Sequence, residues 1–431
     1  MFQPRVTRTQ VWVGEASKGV ESMSQGTAPI RPECVVLVSD FANINGGQAK
    51  VAVDTAVLLA DAGIRVHFFA ATGEPDAALR HRNIEIEVLG QADILAEPNR
   101  MKAACNGIWN RDAAAALKTC LLRFDPSKTV MHCHGYAKAL SPSIGPLMTD
   151  GPLPCVYTMH EYFLACPNGG FYDYQKGAIC HRRALGTSCL TTHCDVRHPA
   201  HKAWRVLRQV ATVGPGRIPR RLKDVIYISH IQGRVMAPYM ADGTRMHHVP
   251  NPVSPPDLPP VEATANDLFL FVGRLNPEKG GLIFARAAKA AGIKAVFVGD
   301  GVEAEAIRAA NPDALITGWQ TPAQVQDWIG RARALVFPSL WSETFGLVAY
   351  EAICRGVPVV CGEWNAAQEV VENGVNGIVY RDPGVDALVQ AISDVDRLSQ
   401  FDTSGYIETY SRTRHFDKLM KVYEASIGNH V

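Results

Sequence analysis

Short apolar runs alternate with helical stretches twice along this chain, and that pattern leaves few folds open. CVVLVS (34–39) is the kind of run a strand shows when both its faces are buried. A glycine-bearing loop, DFANINGGQAK, leads into AKVAVDTAVLLADAG (49–63), whose apolar residues recur at helical spacing and stop at Gly63. RVHFFA (65–70) follows as the next strand. Such a strand–helix–strand unit builds a parallel sheet. TVMHCH (129–134), CVYTMH (155–160) and DVIYIS (224–229) continue the series. The proline-dense PNPVSPPDLPP (250–260) then breaks every periodicity, as a domain boundary does. A second series opens at DLFLFVGRL (267–275) and runs through GGLIFARAAKAAG as helix, KAVFVGDG as strand, AQVQDWIGRA as helix and ALVFPS as strand. Another helix is expected near Phe345, and VPVVC (357–361) as a strand.

The alternation predicts an α/β chain of two doubly wound domains. Its parts are a mobile tail (1–32), a first domain (33–250) with an insertion at about 161–223, a Pro-rich linker (251–260), a second domain (261–395) and a helical end (396–431). Composition narrows the partners. Formal net charge is +1, so no global field draws nucleic acid or membrane. No apolar run approaches the ~18 residues of a membrane span, and MFQPRVTRTQ lacks the core of a secretory signal. The expected location is the cytoplasm. Eleven cysteines, an odd count in a long chain, do not suggest a secreted disulfide scaffold.

Two segments carry chemistry. In FVGRLNPEKGG (271–281), Arg274 and Lys279 flank a short turn and two glycines open a helix. A guanidinium fork, an ammonium and free helix-end N–H groups together suit an anion. In PSLWSETFGLVAYEAICRGVPVV (338–360), Glu343 falls just before a helix and Glu351 about two turns in, a rise of ~12 Å. That separation suits two contacts along an extended ligand, with the N–H groups of Phe345, Gly346 and Leu347 facing its phosphate. Taken alone, the same glutamates also fit a helix-end charge and a surface charge.

These two motifs, with HHVPNPV, FVGDG (297–301), TGWQ (317–320) and Gly-Val-Pro-Val in order, resemble the retaining glycosyltransferases of family 4. The likeness is strong over about 265–380 and looser over 33–250. It implies the GT-B fold, two Rossmann-like domains facing a central cleft, and a nucleotide-sugar donor, with a UDP-sugar expected. It further implies that Arg274 and Lys279 neutralise the donor diphosphate and that Glu351 binds the ribose. Glu343, with Thr344 and the Phe345–Leu347 backbone, would hold the sugar, and main chain at Trp319–Gln320 would meet the base. Gly46 and Gly47, between the first strand and its helix, match a family loop near donor phosphate and acceptor. His160 matches a family histidine that contacts the sugar. Two departures stand out: His160 is followed by Glu161 where the family has Asp, and Asn365-Ala366-Ala367 replace a usual Gly-Gly pair. No acidic metal-chelating cluster stands beside the basic diphosphate motif, so no metal is expected in catalysis.

Two further features stand outside that site. Cys166, Cys180, Cys189 and Cys194, with His181 and His193 among them, either staple the insertion through Zn²⁺ or pack as free thiols; no C-x2-C pair accompanies them. Residues 182–234 carry eleven Lys/Arg against Asp195 and Asp224, with Trp204, Val206 and Leu207 interleaved. That segment suits an anionic membrane surface, a phosphate-rich acceptor, nucleic acid or plain solvent. The expected activity is transfer of a hexosyl or related group to a hydroxyl acceptor, a glycan, glycolipid or small molecule. The rivals are a dinucleotide-dependent oxidoreductase, which lacks its G-x-G-x-x-G after a strand, and a non-catalytic metal- or nucleic-acid-binding module built on the Cys/His insertion.

Overall fold

The computed structural model describes residues 31–253 and 258–430; most of the expected tail and part of the Pro-rich linker lie outside these. The first half forms β1 (Cys34–Phe41), β2 (Arg65–Thr72), β3 (Ile84–Val88), β4 (Thr129–Cys133), β5 (Cys155–Met159), the two-residue strands β6 (Tyr172–Asp173) and β7 (Ala178–Ile179), β8 (Asp224–Tyr227) and β9 (Arg245–His248). Seven of them make one sheet in the order β3-β2-β1-β4-β5-β8-β9, parallel throughout. β6 and β7 pair as a small antiparallel ribbon inside the expected insertion. The second half forms β10 (Leu268–Val272), β11 (Lys294–Val298), β12 (Leu315–Gly318), β13 (Ala332–Phe337), β14 (Val359–Gly362) and β15 (Gly377–Tyr380), a parallel sheet in the order β12-β11-β10-β13-β14-β15.

In both sheets the order reverses beside the first strand, which leaves a crevice at the strand C-termini where ligands bind. β1 and β10 are central, and their residues are almost wholly buried because helices cover both faces. The helix expected near Phe345 begins at Leu347, because Gly346 takes a left-handed φ of 83° and a Cβ there would stand 2.8 Å from the Phe337 ring. The C-terminal helix, Arg412–Gly428, crosses back to the first sheet, where Tyr423 is wholly buried and bonds His132 on β4.

Candidate active site between the two sheets

Lys279 ends a short 3-10 turn after β10, and Gly280 follows at φ 72°. A Cβ on Gly280 would lie 2.2 Å from the Pro338 carbonyl oxygen, so only glycine lets this turn sit against the loop after β13. That contact brings the two motifs together. Lys279 Nζ donates to Glu343 Oε2 at 2.6 Å, and the same oxygen accepts Trp341 Nε1 at 2.9 Å. The ammonium also stands 5.0 Å from the centre of the Trp341 ring. The sequence placed Lys279 and Glu343 in one site with separate ligand contacts; in the fold they also hold each other.

Arg274 is exposed and makes no ion pair among the described residues. Glu351 lies in the Leu347–Cys354 helix beside Gln326, whose amide reaches it at 3.3 Å. Burial pushes the Glu351 carboxyl up, and Lys50, on the Gly47–Asp61 helix of the first half, pulls it back. Lys50 itself is bonded to Asp54 at 2.5 Å. Gly46 and Gly47 open that helix, and a Cβ on Gly47 would lie 3.9 Å from Leu347 Cδ1. Two helix starts, one from each half, therefore face each other.

His160 follows β5 and is buried. Desolvation pushes its imidazole down to about 3, so the ring is neutral at ordinary pH. Its Nε2 stands 3.0 Å from His134 Nδ1, and the rings stack. His134 Nε2 is buried without a partner. His134 was not singled out in the sequence, although MHCHG carries it just past the end of β4, two residues after His132 and with its ring 4.1 Å from that of His132, which bonds Thr158 and Tyr423. Asp40, at the C-terminal part of β1, was also missed. Its carboxylate accepts the backbone N–H groups of Lys138, Ala139 and Leu140 and so shapes the loop after His134.

Other expected site residues take more particular places. The Thr344 hydroxyl donates to the His160 carbonyl at 3.0 Å and ties the halves together. Phe345 is buried with its ring stacked on Tyr350 at 4.0 Å, so its side chain serves the core. The Trp319 side chain points to solvent after edge strand β12, and the Gln320 amide bonds the Thr317 carbonyl. Asn365, where the Gly-Gly pair was expected, caps the next turn by accepting the Ala367 N–H, and Ala366 N–H donates to the Glu343 carbonyl. The loop after His160 reaches the same place: a Cβ on Gly170 would stand 3.2 Å from the Trp341 ring.

The cysteine-rich insertion surrounds a cation. Lys202 Nζ is buried and lies 3.1 Å from Cys194 Sγ and 3.7 Å from Cys189 Sγ. Among the described residues, the groups of three ligand side chains with donor atoms within 4.8 Å of one another are His67/Glu87/Cys120 and His230/His248/Glu369; the four insertion cysteines do not form one.

This architecture is that of the GT-B glycosyltransferases, and the site lies in its cleft. Residues 266–396 match the family model described as Glycosyl transferases group 1. It is 29% identical over 153 residues to the lipopolysaccharide 1,2-N-acetylglucosaminetransferase of Salmonella typhimurium, an alignment covering 30% of this chain and 40% of that one. The chain thus spans well under half the length of that curated relative. With the D-inositol 3-phosphate glycosyltransferase 1 of Catenulispora acidiphila it is 26% identical, over 94% of this chain and 97% of the other. Among solved structures, HepE of Anabaena in complex with UDP and glucose superposes with a TM-score of 0.57 at 15% identity, covering 90% of this chain and 98% of that chain.

Proposed function

We propose that the protein moves a sugar from a nucleotide sugar, a UDP-sugar, to a hydroxyl acceptor with retention at the anomeric carbon. One observation carries this most: the Lys279–Glu343 pair and two facing helix starts, at Gly47 and at Leu347, meet in the cleft of a group 1 domain protein. Arg274, Lys279 and the backbone N–H groups of both helix starts would receive the diphosphate. Glu351 would accept the ribose hydroxyls, while Glu343, neutral His160 and main chain at Thr344–Leu347 would orient the sugar. Main chain at Trp319–Gln320 would meet the base.

As the anomeric C–O bond breaks, its electron pair goes to the terminal diphosphate oxygen. Fixed cations and N–H dipoles stabilise the charge that develops there. The acceptor oxygen bonds the anomeric carbon from the same face, and its proton passes to a diphosphate oxygen. Glu343 is held by Lys279 and Trp341, so it acts in position and charge rather than as a nucleophile. Neutral His160 donates or accepts a hydrogen bond and does not serve as a strong acid. The cations fill the electrostatic role on the diphosphate, which supports a reaction without a divalent metal.

The test is a panel of nucleotide sugars screened for thermal stabilisation and slow hydrolysis. A ligand present at 100 times its Kd stabilises by about 2.7 kcal/mol. UDP-sugars should raise Tm in the wild type and not in Lys279→Ala. Stabilisation by dinucleotides instead would return the oxidoreductase to favour.

A further inference from the structure

The Pro199–Val213 helix is turned inside out. Its inward face is polar: Lys202, Arg208, Gln209 and Thr212 are all buried. Its outward face is apolar: Leu207 and Val210 are 59% and 53% exposed, and Ala203 is exposed one turn before Leu207. The inversion has a local cause. The loops beneath carry carbonyls that no sheet or helix satisfies, and the helix supplies the donors: Arg208 bonds the Ala137 carbonyl and reaches that of Pro167, Gln209 bonds that of Leu164, and Lys202 meets the cysteine sulfurs. With its polar residues consumed inside, the helix shows its aliphatic side to water. Leu190 and Val196, at 47% and 54% exposure, extend the same segment. Leu190 lines one groove with Ala203, Val206 and Leu207, and four of the fourteen large exposed apolar side chains among the described residues fall within 190–210.

Cations flank this ridge at both ends. Arg197 precedes the helix, and Arg217, Arg220 and Arg221 follow it, all exposed. Between residues 174 and 241 the acids are Asp195 and Asp224, both buried and paired with Arg205 and Arg245. Exposed Asp150 engages two of the flanking arginines, Arg217 at 2.7 Å and Arg221 at 3.9 Å, and leaves Arg197 and Arg220 without an ion pair among the described residues. Trp204, expected among the outward residues, instead packs inward, with Nε1 donating to the Ala104 carbonyl. Lys202 and Arg208 also leave the basic surface.

We infer that this helix lies flat on an anionic lipid surface, with Leu207, Val210 and the groove formed with Leu190 against the acyl boundary and the flanking arginines at the headgroups. Aliphatic residues on one line with cations at the edges and no exposed acid within the segment are what an interfacial helix needs. A second copy would set its own arginines against these. Nucleic acid would use the charge and leave the aliphatic ridge wet. No helix among the described residues is long and apolar enough to cross a membrane.

The test is co-sedimentation of the full chain with phosphatidylcholine vesicles, with and without phosphatidylglycerol. Binding should require phosphatidylglycerol and weaken with salt, since exposed charges are screened beyond about 8 Å at physiological ionic strength. Leu207→Asp with Val210→Asp should cut the bound fraction about tenfold at unchanged Tm, because both sites are exposed. Should that variant misfold, Arg220→Glu with Arg221→Glu should weaken binding to the same vesicles several-fold. Equal pelleting on neutral vesicles, undiminished binding by a folded aspartate variant or by the glutamate variant, or a dimer that dissociates on Leu207→Asp would overturn the inference.

Discussion

Lys279 and Glu343 stand 64 residues apart in sequence and 2.6 Å apart in space. Their side chains are only 18% and 11% exposed, so neither is well solvated alone. The pair joins the turn after β10 to the loop after β13, and any charge arriving in the cleft meets an ammonium already fixed in place.

Removing one member should therefore cost stability as well as rate. Breaking a buried pair costs about 3–5 kcal/mol; discounted for partial exposure, Lys279→Ala should lose roughly 2–3 kcal/mol by urea unfolding. Its turnover should fall about 10²–10³-fold. Arg274→Ala should lose turnover similarly but keep its unfolding midpoint, because Arg274 is exposed and unpaired among the described residues. Near wild-type turnover in both variants would remove them from the site.

The two glutamates should separate kinetically. Glu351 stands well into its helix beside Gln326, so Glu351→Gln should chiefly raise donor KM. Burial pushes the Glu351 carboxyl up, so donor KM should also rise as pH falls through that raised value, and this rise should vanish in Glu351→Gln. Glu343→Gln loosens Lys279 and Trp341 at the proposed reacting centre and should chiefly lower kcat. Saturation kinetics showing the opposite split would reverse the two roles.

Stability should decline in mild acid. His132, His134, His160, His248 and His415 are all held below the usual histidine range by burial, to about 3 for His160 and about 4 for His248 and His415. Each is neutral when folded and takes a proton near pH 6.5 when unfolded. Stability is thus full above about pH 6.5 and is lost as pH falls toward the folded values, by at most about 1.4 kcal/mol per pH unit per histidine. Asp40, Glu303 and Glu351, raised by burial, work in the opposite direction but number three against five. Urea midpoints should be lower at about pH 5 than at about pH 7.5. A flat profile would mean that these rings are protonated in the fold.

Chelation should leave both fold and turnover unchanged. The proposed diphosphate site rests on Arg274 and Lys279, and the Lys202 ammonium stands between two insertion sulfurs, where a dication would be repelled. Tm and activity measured with EDTA, together with the metal content of the purified chain, decide this. Stoichiometric zinc, with loss of Tm on its removal, would show that the sulfurs displace Lys202 to hold an ion.

Much of the fold was legible because buried parallel strands write themselves as continuous apolar runs: β1, β10 and β13 fall where CVVLVS, FLFV and ALVF stand. β9 and β12 were not, since RMHH and LITG are short edge strands with little apolar content to mark them. The turn–helix motifs at 271–281 and 338–354 were readable as local sequence, because a turn and the helix after it are neighbours along the chain. The Lys279–Glu343 bond, the His134–His160 contact and the Gly170 approach to Trp341 depend on how separate loops meet. The outward apolar face of the Pro199–Val213 helix was hidden for a related reason. Its sequence is plainly amphipathic, and only the unsatisfied carbonyls beneath it decide which face turns in.

The bond from Tyr423 to His132 spans 291 residues, and it reverses the usual order of manufacture. A nascent chain emerging from the ribosome can pair β1 with β4 early, yet the buried histidine face of β4 keeps waiting for the last helix to be translated. Domains are ordinarily completed one after another during synthesis. Here the first to be made is the last to be sealed, so a premature stop before residue 423 leaves an unfinished first half rather than a shorter working one.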